Sequence, residues 1–281
     1  MQEISPKVYI ETAYPGVTLA ALYCKRGVIM LDAPLRFEDS RSWRSALAAM
    51  GEGRERLLVT LDEHFDRTLG TRQMECMTAG HETLNQTLRD RPVSFKAQGQ
   101  ESGAEWERLS GLGVMRWALP DITFSYTLEF YWDTFPVRLF FVPGPSRASV
   151  WTELPQQRIV FVGDAVVPHA PPFLAAANLQ AWQSAIERLL SPAYKGYVFV
   201  SGRGGLITTA EVKEQGKFLA KVQQQAEKLR QGADARSIER ACVHLMKSFD
   251  SRSPLQQHYL SRLVYGLMEY LRQNPAAGTA K

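Results

Sequence analysis

Histidine is scarce in this chain. There are five in 281 residues, His64, His81, His169, His244 and His258, which leaves little for a metal centre built on imidazole. Cysteine is scarcer still. Cys24, Cys76 and Cys242 are odd in number and far apart, which excludes a disulfide framework or a zinc knuckle and reads as thiols in a reducing compartment. No apolar run reaches the roughly 18 residues a membrane helix needs, so no span is expected. The opening residues MQEISPKVYI lack the apolar stretch of a secretory leader, and the expectation is a cytoplasmic protein. Neither sign of charge dominates, with 33 Lys and Arg against 29 Asp and Glu. No basic run carries interleaved aromatics, so nucleic acid is not an expected partner. Solenoid repeats and low-complexity tracts are absent.

What is present is core-forming material: 45% of residues are hydrophobic and 22% charged, the balance of a soluble globular protein. VYIETAY and VTLAALYC flank Pro15-Gly16, the signal of a hairpin, and GVIMLDAP continues as a strand apolar enough to be buried on both faces. FEDSRSWRSALAAMG has helical spacing, with Phe37, Trp43, Leu47 and Met50 as the apolar face and Gly51 as the stop. RLLVTL is a strand, RQMECMTAG a shorter one, and HETLNQTLRD a helix. His81 at its start reads as a surface or capping residue.

The stretch 90–120 is polar and Gly-rich, with one helical segment around AEWERL, and reads as an insertion or lid. Beyond it, Ile122, Phe124, Tyr126, Leu128 and Phe130 alternate with period two, predicting one strand of a second hairpin. Residues 179–192 predict a helix with Leu179, Trp182, Ile186, Leu189 and Leu190 on one side. A long amphipathic helix follows, from a Thr cap to Gly232. Two more helices lie beyond it, joined by DSRSP. The second carries Leu260, Leu263, Val264, Leu267, Met268 and Leu271 as a stripe that must dock on the rest of the chain or on another subunit. The tail from residue 274 is expected to fray.

Four polar segments stand at the ends of four predicted strands: LLVTLDEHFDRTLG at 57–70, VPGPSRAS at 142–149, RIVFVGDAV at 158–166 and YVFVSGRGG at 197–205. In this order they resemble the landmarks of the metallo-β-lactamase superfamily: H-x-H-x-D-H, then G-H-T/S-x-G-S, then a strand ending in G-D, then one ending in G-H-G. His64, Asp66 and Gly70 match the first, and Gly163 with Asp164 match the third. Asp62, Arg67, Pro145 and Arg203 stand where the family has histidines. Thr60 is separated from Asp62 by Leu61, whereas the family threonine abuts its first ligand. Asp32 matches an aspartate that packs near the metal loop.

The resemblance implies an α/β fold, a four-layer αββα sandwich, over 1–231, with 232–281 as a C-terminal helical extension. It also implies a hydrolase-like ancestry. The intact family site uses five histidines and two aspartates; here only His64 falls on a ligand position, so the dinuclear zinc site cannot be built. Arginine offers donors only and cannot ligate.

Two arrangements remain open. In one, Asp62, His64, Asp66 and Asp164 hold one divalent ion, Mn, Fe, Mg or Zn, the harder ions suiting so carboxylate-rich a set. In the other, Arg67 and Arg203 pair with the aspartates and no metal binds. The function follows the same division. The chain is a divergent hydrolase acting on a small anionic substrate held by Arg67, Arg203 and Arg147, with Asp66 and His169 as catalytic candidates, or it is a non-catalytic binding or scaffolding protein. His169, in the proline-rich loop VVPHAPPF, also has the plain reading of a loop histidine without a role. No G-x-S-x-G signature supports a serine nucleophile. GRGG at 202–205 is a tight turn before it is a phosphate loop.

Overall fold

The computed structural model describes residues 1–51, 54–96, 102–110, 112–230 and 234–275. The first half runs β1 (Gln2–Ser5), β2 (Val8–Glu11), β3 (Leu19–Tyr23), β4 (Gly27–Leu31), α1 (Phe37–Met50), β5 (Glu55–Val59), α2 (Phe65–Thr68), β6 (Met77–His81) and α3 (Glu82–Asp90). A small pair, β7 (Ser94–Lys96) and β8 (Val114–Arg116), brackets a 3-10 turn at Glu105–Arg108. Next come β9 (Ile122–Phe124), β10 (Thr127–Phe130), β11 (Val137–Phe141), β12 (Val150–Leu154) and β13 (Ile159–Phe161). The chain ends with α4 (Leu179–Leu190), β14 (Val198–Ser201), β15 (Gly205–Ile207), α5 (Thr209–Leu229), α6 (Ala235–Met246) and α7 (Gln256–Gln273).

Strand alternation decides the layers. In β3 and β4, Ala20, Leu22, Ile29 and Leu31 face one apolar cluster while Leu19, Ala21, Val28 and Met30 face another. The first set meets Leu139, Ile159, Phe161 and Val200 of the second sheet; the outer set meets Trp43 and Leu47 of α1. Phe140 and Val160 point out of the second sheet toward α4 and α5. A strand buried on both faces reads as a continuous apolar run, as GVIML does. The sheets have strand orders β1-β2-β3-β4-β5-β6-β9 and β10-β11-β12-β13-β14-β15. With helices on both outer faces this is the αββα sandwich that the sequence predicts.

Local predictions fail in instructive places. The alternating run 122–130 is divided: β9 pairs parallel with β6 in the first sheet, and β10 pairs antiparallel with β11 in the second. Both halves nevertheless feed the cluster between the sheets, so the alternation survives while Tyr126, at the crossing, is exposed. Phe37 and Met50 are exposed at the two ends of α1, and Leu190 and Met268 are exposed on α4 and α7. The cap of α5 is Thr208, whose hydroxyl and Glu211 form a reciprocal capping box, with Thr209 the first helical residue. The predicted stop at Gly232 and the tail beyond 275 lie outside the described residues. No described helix is long and apolar enough to cross a membrane. All three cysteines are free thiols.

The last two helices bury their stripe on the rest of the chain. Leu263, Leu267 and Tyr270 of α7 and Cys242 and Leu245 of α6 share one cluster with α4 and α5, and Leu260, Val264 and Leu271 pack at its margin. Each large apolar side chain so buried is worth about 1.5–3 kcal/mol before entropy. The 90–120 stretch packs as well. Phe95, Trp106 and Met115 join Leu35, Leu69 and Phe173 in a cluster beside α2.

Candidate functional site

The parallel pairs β4–β5 and β13–β14 deliver their strand ends to one edge of the sandwich, and four aspartates arrive there. Asp32 ends β4 in a left-handed conformation (φ 57°), and its Oδ1 accepts from Leu61 N at 2.9 Å, fixing the loop after β5. Asp62 and Asp66 lie in that loop and in α2; Asp164 follows β13. None is more than 1% exposed.

Arg67 lies at their centre and is fully buried. Its Nε donates to Asp62 Oδ2 at 2.8 Å, its Nη1 to Asp32 Oδ2 and its Nη2 to Asp164 Oδ1, so each nitrogen serves a different carboxylate. Arg203, on the turn after β14, donates through Nε to Asp164 Oδ2 at 2.8 Å and through Nη1 to Asp66 Oδ2 at 2.9 Å and Gly16 O at 2.7 Å. Space is made for this by glycine: a Cβ at Gly202 would collide with the Arg67 guanidinium. Asp66 also accepts from the amides of Glu105 at 3.2 Å and Trp106 at 3.1 Å, which anchors the 90–120 stretch to the site.

Charge balance explains the titration of the cluster. Four carboxylates face two guanidiniums. Burial works against charge on Asp164, but Arg203 and Arg67 outweigh it and hold its carboxyl below the usual range. Asp62 is likewise lowered against burial by Arg67 and His64. Asp32 goes the other way. Burial and the two neighbouring aspartates push it up to about 6 despite Arg67. His64 is raised: burial opposes its charge, and Asp62 and Asp164 favour it more strongly. A protonated Asp32 and an imidazolium at His64 are the two routes by which a buried set with excess negative charge approaches neutrality.

The predicted site residues are only partly brought together. Asp62, His64 and Asp164 each place a ligand atom within 4.8 Å of the others. Asp66 stands outside that group, turned to Arg203 and the two amides. Arg67 and Arg203, expected to hold a substrate, are spent on carboxylates instead. His169 is a second departure: its side chain is 87% exposed, in a left-handed conformation, 3.5 Å from Glu211 and away from the aspartates. Arg147 is exposed, donates to Gln273 Oε1 at 2.7 Å and does line the cavity described next. His81 caps α3 by accepting from Thr83 N, and it is buried, stacked on Phe141.

Beside His64 and Asp66 a cavity of about 580 Å³ runs between α2, the 102–106 segment and α7. Several of its determinants carried no sequence signal of their own. Glu63 accepts from the amides of Arg147 at 2.9 Å and Ala148 at 3.0 Å, tying the loop after β5 to the loop where Pro145 replaces a ligand. Arg91, Trp106 and Phe173 line the wall. Arg262 did carry a signal: it shares a helix face with Leu263, Gly266, Leu267 and Tyr270, and a charge on a buried face needs a partner. It donates to Glu105 Oε1 at 2.8 Å, Gly103 O at 2.7 Å and Pro171 O at 3.1 Å.

No protein-family model and no curated protein sequence matches this chain. Solved structures do. A metallo-beta-lactamase from Pontibacter korlensis aligns with a TM-score of 0.61 at 20% identity, over 78% of this chain and 97% of that one. A metallo-beta-lactamase family protein from Thermus thermophilus aligns with a TM-score of 0.67 at 16% identity, over 99% and 97%. This chain has the metallo-β-lactamase fold. The stereoselective inverting sec-alkylsulfatase Pisa1 from Pseudomonas sp. aligns with a TM-score of 0.64 at 13% identity over 99% of this chain, which spans 50% of that longer one.

The residues do not fit the dinuclear centre that the fold's motifs imply. Of the aspartates that reach the metal-loop edge, Asp62 and Asp164 have every carboxylate oxygen occupied: Asp62 by His64 N and Arg67, Asp164 by Arg67 and Arg203. The guanidinium of Arg67 fills the space between them. His64 Nδ1 faces Asp62 Oδ1 at 3.2 Å and Asp164 Oδ2 at 3.4 Å, the oxygens that Arg67 does not take, so these three groups are the ones that would hold a single ion.

Proposed function

We propose that this chain is a metal-independent binding protein on the metallo-β-lactamase fold, with a small anionic molecule as its ligand. The observation that carries the reading is Arg67, one guanidinium engaging three aspartates from three strand ends. A metal ion at that edge would join the loops after β4, β5 and β13; here charge-assisted hydrogen bonds join them. Arg203 adds the loop after β14, and Glu63 the loop before β12. General acid or base work requires a carboxylate with a free lone pair open to substrate. Asp32, Asp62 and Asp164 are closed off, and Asp66 is held by three donors. This favours binding over hydrolysis.

The second reading is a single divalent ion, Mn, Fe, Mg or Zn, held by Asp62, His64 and Asp164. The convergence of their ligand atoms within 4.8 Å supports it. Elemental analysis of protein purified without chelator separates the two, together with melting curves in EDTA and in added manganese or zinc. The proposal expects metal well below one ion per chain and a melting temperature indifferent to EDTA. One tightly held ion per chain, whose removal lowers the melting temperature, would overturn it in favour of the second reading.

A further inference from the structure

The cavity between α2 and α7 has an unbalanced wall. Three arginines reach it from separate parts of the chain: Arg91 after α3, Arg147 between β11 and β12, and Arg272 in the last turn of α7. The acids on the same wall are already satisfied, Glu63 by two backbone amides and Asp66 by Arg203 and two amides.

Two of the cations have no acid to match. Arg91 donates to neutral oxygens, Glu63 O at 2.5 Å and Thr68 Oγ1 at 3.2 Å, and lies 4.2 Å over the Phe65 ring and 4.9 Å over Trp117. Among the described residues it forms no ion pair. Burial pushes its pKa down to about 10 even though Glu63 and Asp62 pull the other way. Arg147 donates to the neutral side-chain oxygen of Gln273. Arg272 differs, being paired with Glu269 at 2.7 Å. A cation removed from water without a partner carries a desolvation cost that an incoming anion would offset.

Beside the polar His64, Thr87, Ser102 and Gln273, the rest of the wall is apolar and aromatic, with Phe65, Trp106, Phe173 and Tyr265 and small alanines. Trp106 is 6% exposed, and its indole N–H is buried with no hydrogen-bond partner. The volume of about 580 Å³ suits a small organic molecule and exceeds what an inorganic anion would fill.

We infer that this cavity binds an organic anion, its carboxylate, phosphate or sulfate group held by Arg91 and Arg147 and its flat apolar body lying among Phe65, Trp106 and Phe173. The inference rests on the metal-independent reading, because the arginines and not an ion supply the positive charge. Guanidiniums favour acids that accept two hydrogen bonds side by side, and aromatic walls favour a planar body.

The test is calorimetric titration of the full chain in EDTA with 1-naphthoate, 1-naphthyl phosphate, neutral 1-naphthamide and inorganic phosphate. At least one naphthyl anion is expected to bind at least tenfold more tightly than the amide and than inorganic phosphate. The preferred anion identifies the head group. Arg147→Gln, at an exposed side chain, is expected to weaken the anion about tenfold, leave the amide unchanged and preserve the melting temperature. Arg91→Gln is expected to do the same, and if it fails to fold, Arg147→Gln carries the test. Failure of both naphthyl anions to bind both in EDTA and with added zinc, equal binding of the amide, or indifference to Arg147→Gln in EDTA overturns the inference alone. Binding that vanishes in EDTA and returns with zinc overturns the metal-independent reading and this inference with it.

Discussion

Arg203 and Asp164 form an ion pair of 2.8 Å with the arginine 8% and the aspartate 1% exposed, just beyond the ends of β13 and β14, where Gly202 N donates to Gly163 O at 2.7 Å. Removing one partner leaves the other charge buried. Arg203→Ala is therefore expected to cost about 3–5 kcal/mol of folding stability, because Asp164 and Asp66 both lose a donor. Urea unfolding monitored by tryptophan fluorescence measures it. A loss below about 1 kcal/mol, the range of exposed pairs, would mean that the pocket charges are not a structural element.

The titration of the cluster sets a pH optimum. Asp62 and Asp164 have lowered folded pKa values, so their contribution is present above the ordinary carboxylate value, about 4, and is lost as pH falls through the folded values. Asp32 is raised to about 6, so its ionisation weighs against the folded state as pH climbs through that value. His64 is raised too; its contribution is present below the ordinary imidazole value and lost as pH rises through the folded one. His258, lowered by burial and by Arg262, works in the opposite sense to His64. Stability is expected to peak at about pH 4 and to fall between about pH 4 and 6 as Asp32 ionises, with His64 extending the fall above the ordinary imidazole value, and Asp32→Asn should flatten the part between about 4 and 6. Unfolding midpoints at pH 3, 5 and 8 decide this, and a midpoint that keeps rising from pH 5 to 8 would contradict it.

Gly202 offers a sharper probe of Arg67. A Cβ there meets the guanidinium directly, and the guanidinium has nowhere to move while it holds three aspartates. Gly202→Ala is expected to cost about 1–3 kcal/mol, the range of overpacked cores. The same change at Gly113, where a Cβ meets nothing within 4 Å, controls for loss of backbone freedom, although its positive φ adds strain of its own. If Gly202→Ala proved no worse than Gly113→Ala, Arg67 would be mobile and the space available to an ion.

Much of this was legible in the residues, for definite reasons. GVIML announces a strand buried on both faces, and the fold places it at the centre of the first sheet. Asp164 and Asp32 are legible through the resemblance, each at a position it implies just after an apolar strand. What the pattern could not carry was direction. Arg67 and Arg203 occupy ligand positions in the sequence, yet whether a guanidinium turns inward to aspartates or outward to substrate depends on which loops converge. For the same reason Glu63, between two candidate ligands, was passed over. Its role rests on amides 84 and 85 residues away. Arg91 and Trp106 lie where the sequence is polar and irregular, so no periodicity marked them as a wall.

The last helix belongs to the site as well as to the core. Arg262 is 1% exposed and joins Glu105 of the 90–120 stretch, whose own amide and that of Trp106 hold Asp66. Deleting residues 233–281 would uncover the surface under Leu263, Leu267 and Tyr270, strip Tyr265, Arg272 and Gln273 from the cavity wall, and take from Glu105 its buried partner Arg262. That truncation is expected to be insoluble or poorly folded, as judged by size-exclusion chromatography and circular dichroism. The milder Arg262→Met keeps the apolar packing and removes only the charge. It should cost about 3–5 kcal/mol, with part of the loss recovered when Glu105→Gln is added, since Arg262→Met leaves Glu105 only the more exposed Arg108 as a cation partner. A truncation as soluble and stable as the full chain, or an Arg262→Met loss that Glu105→Gln leaves untouched, would reduce α7 to an appendage.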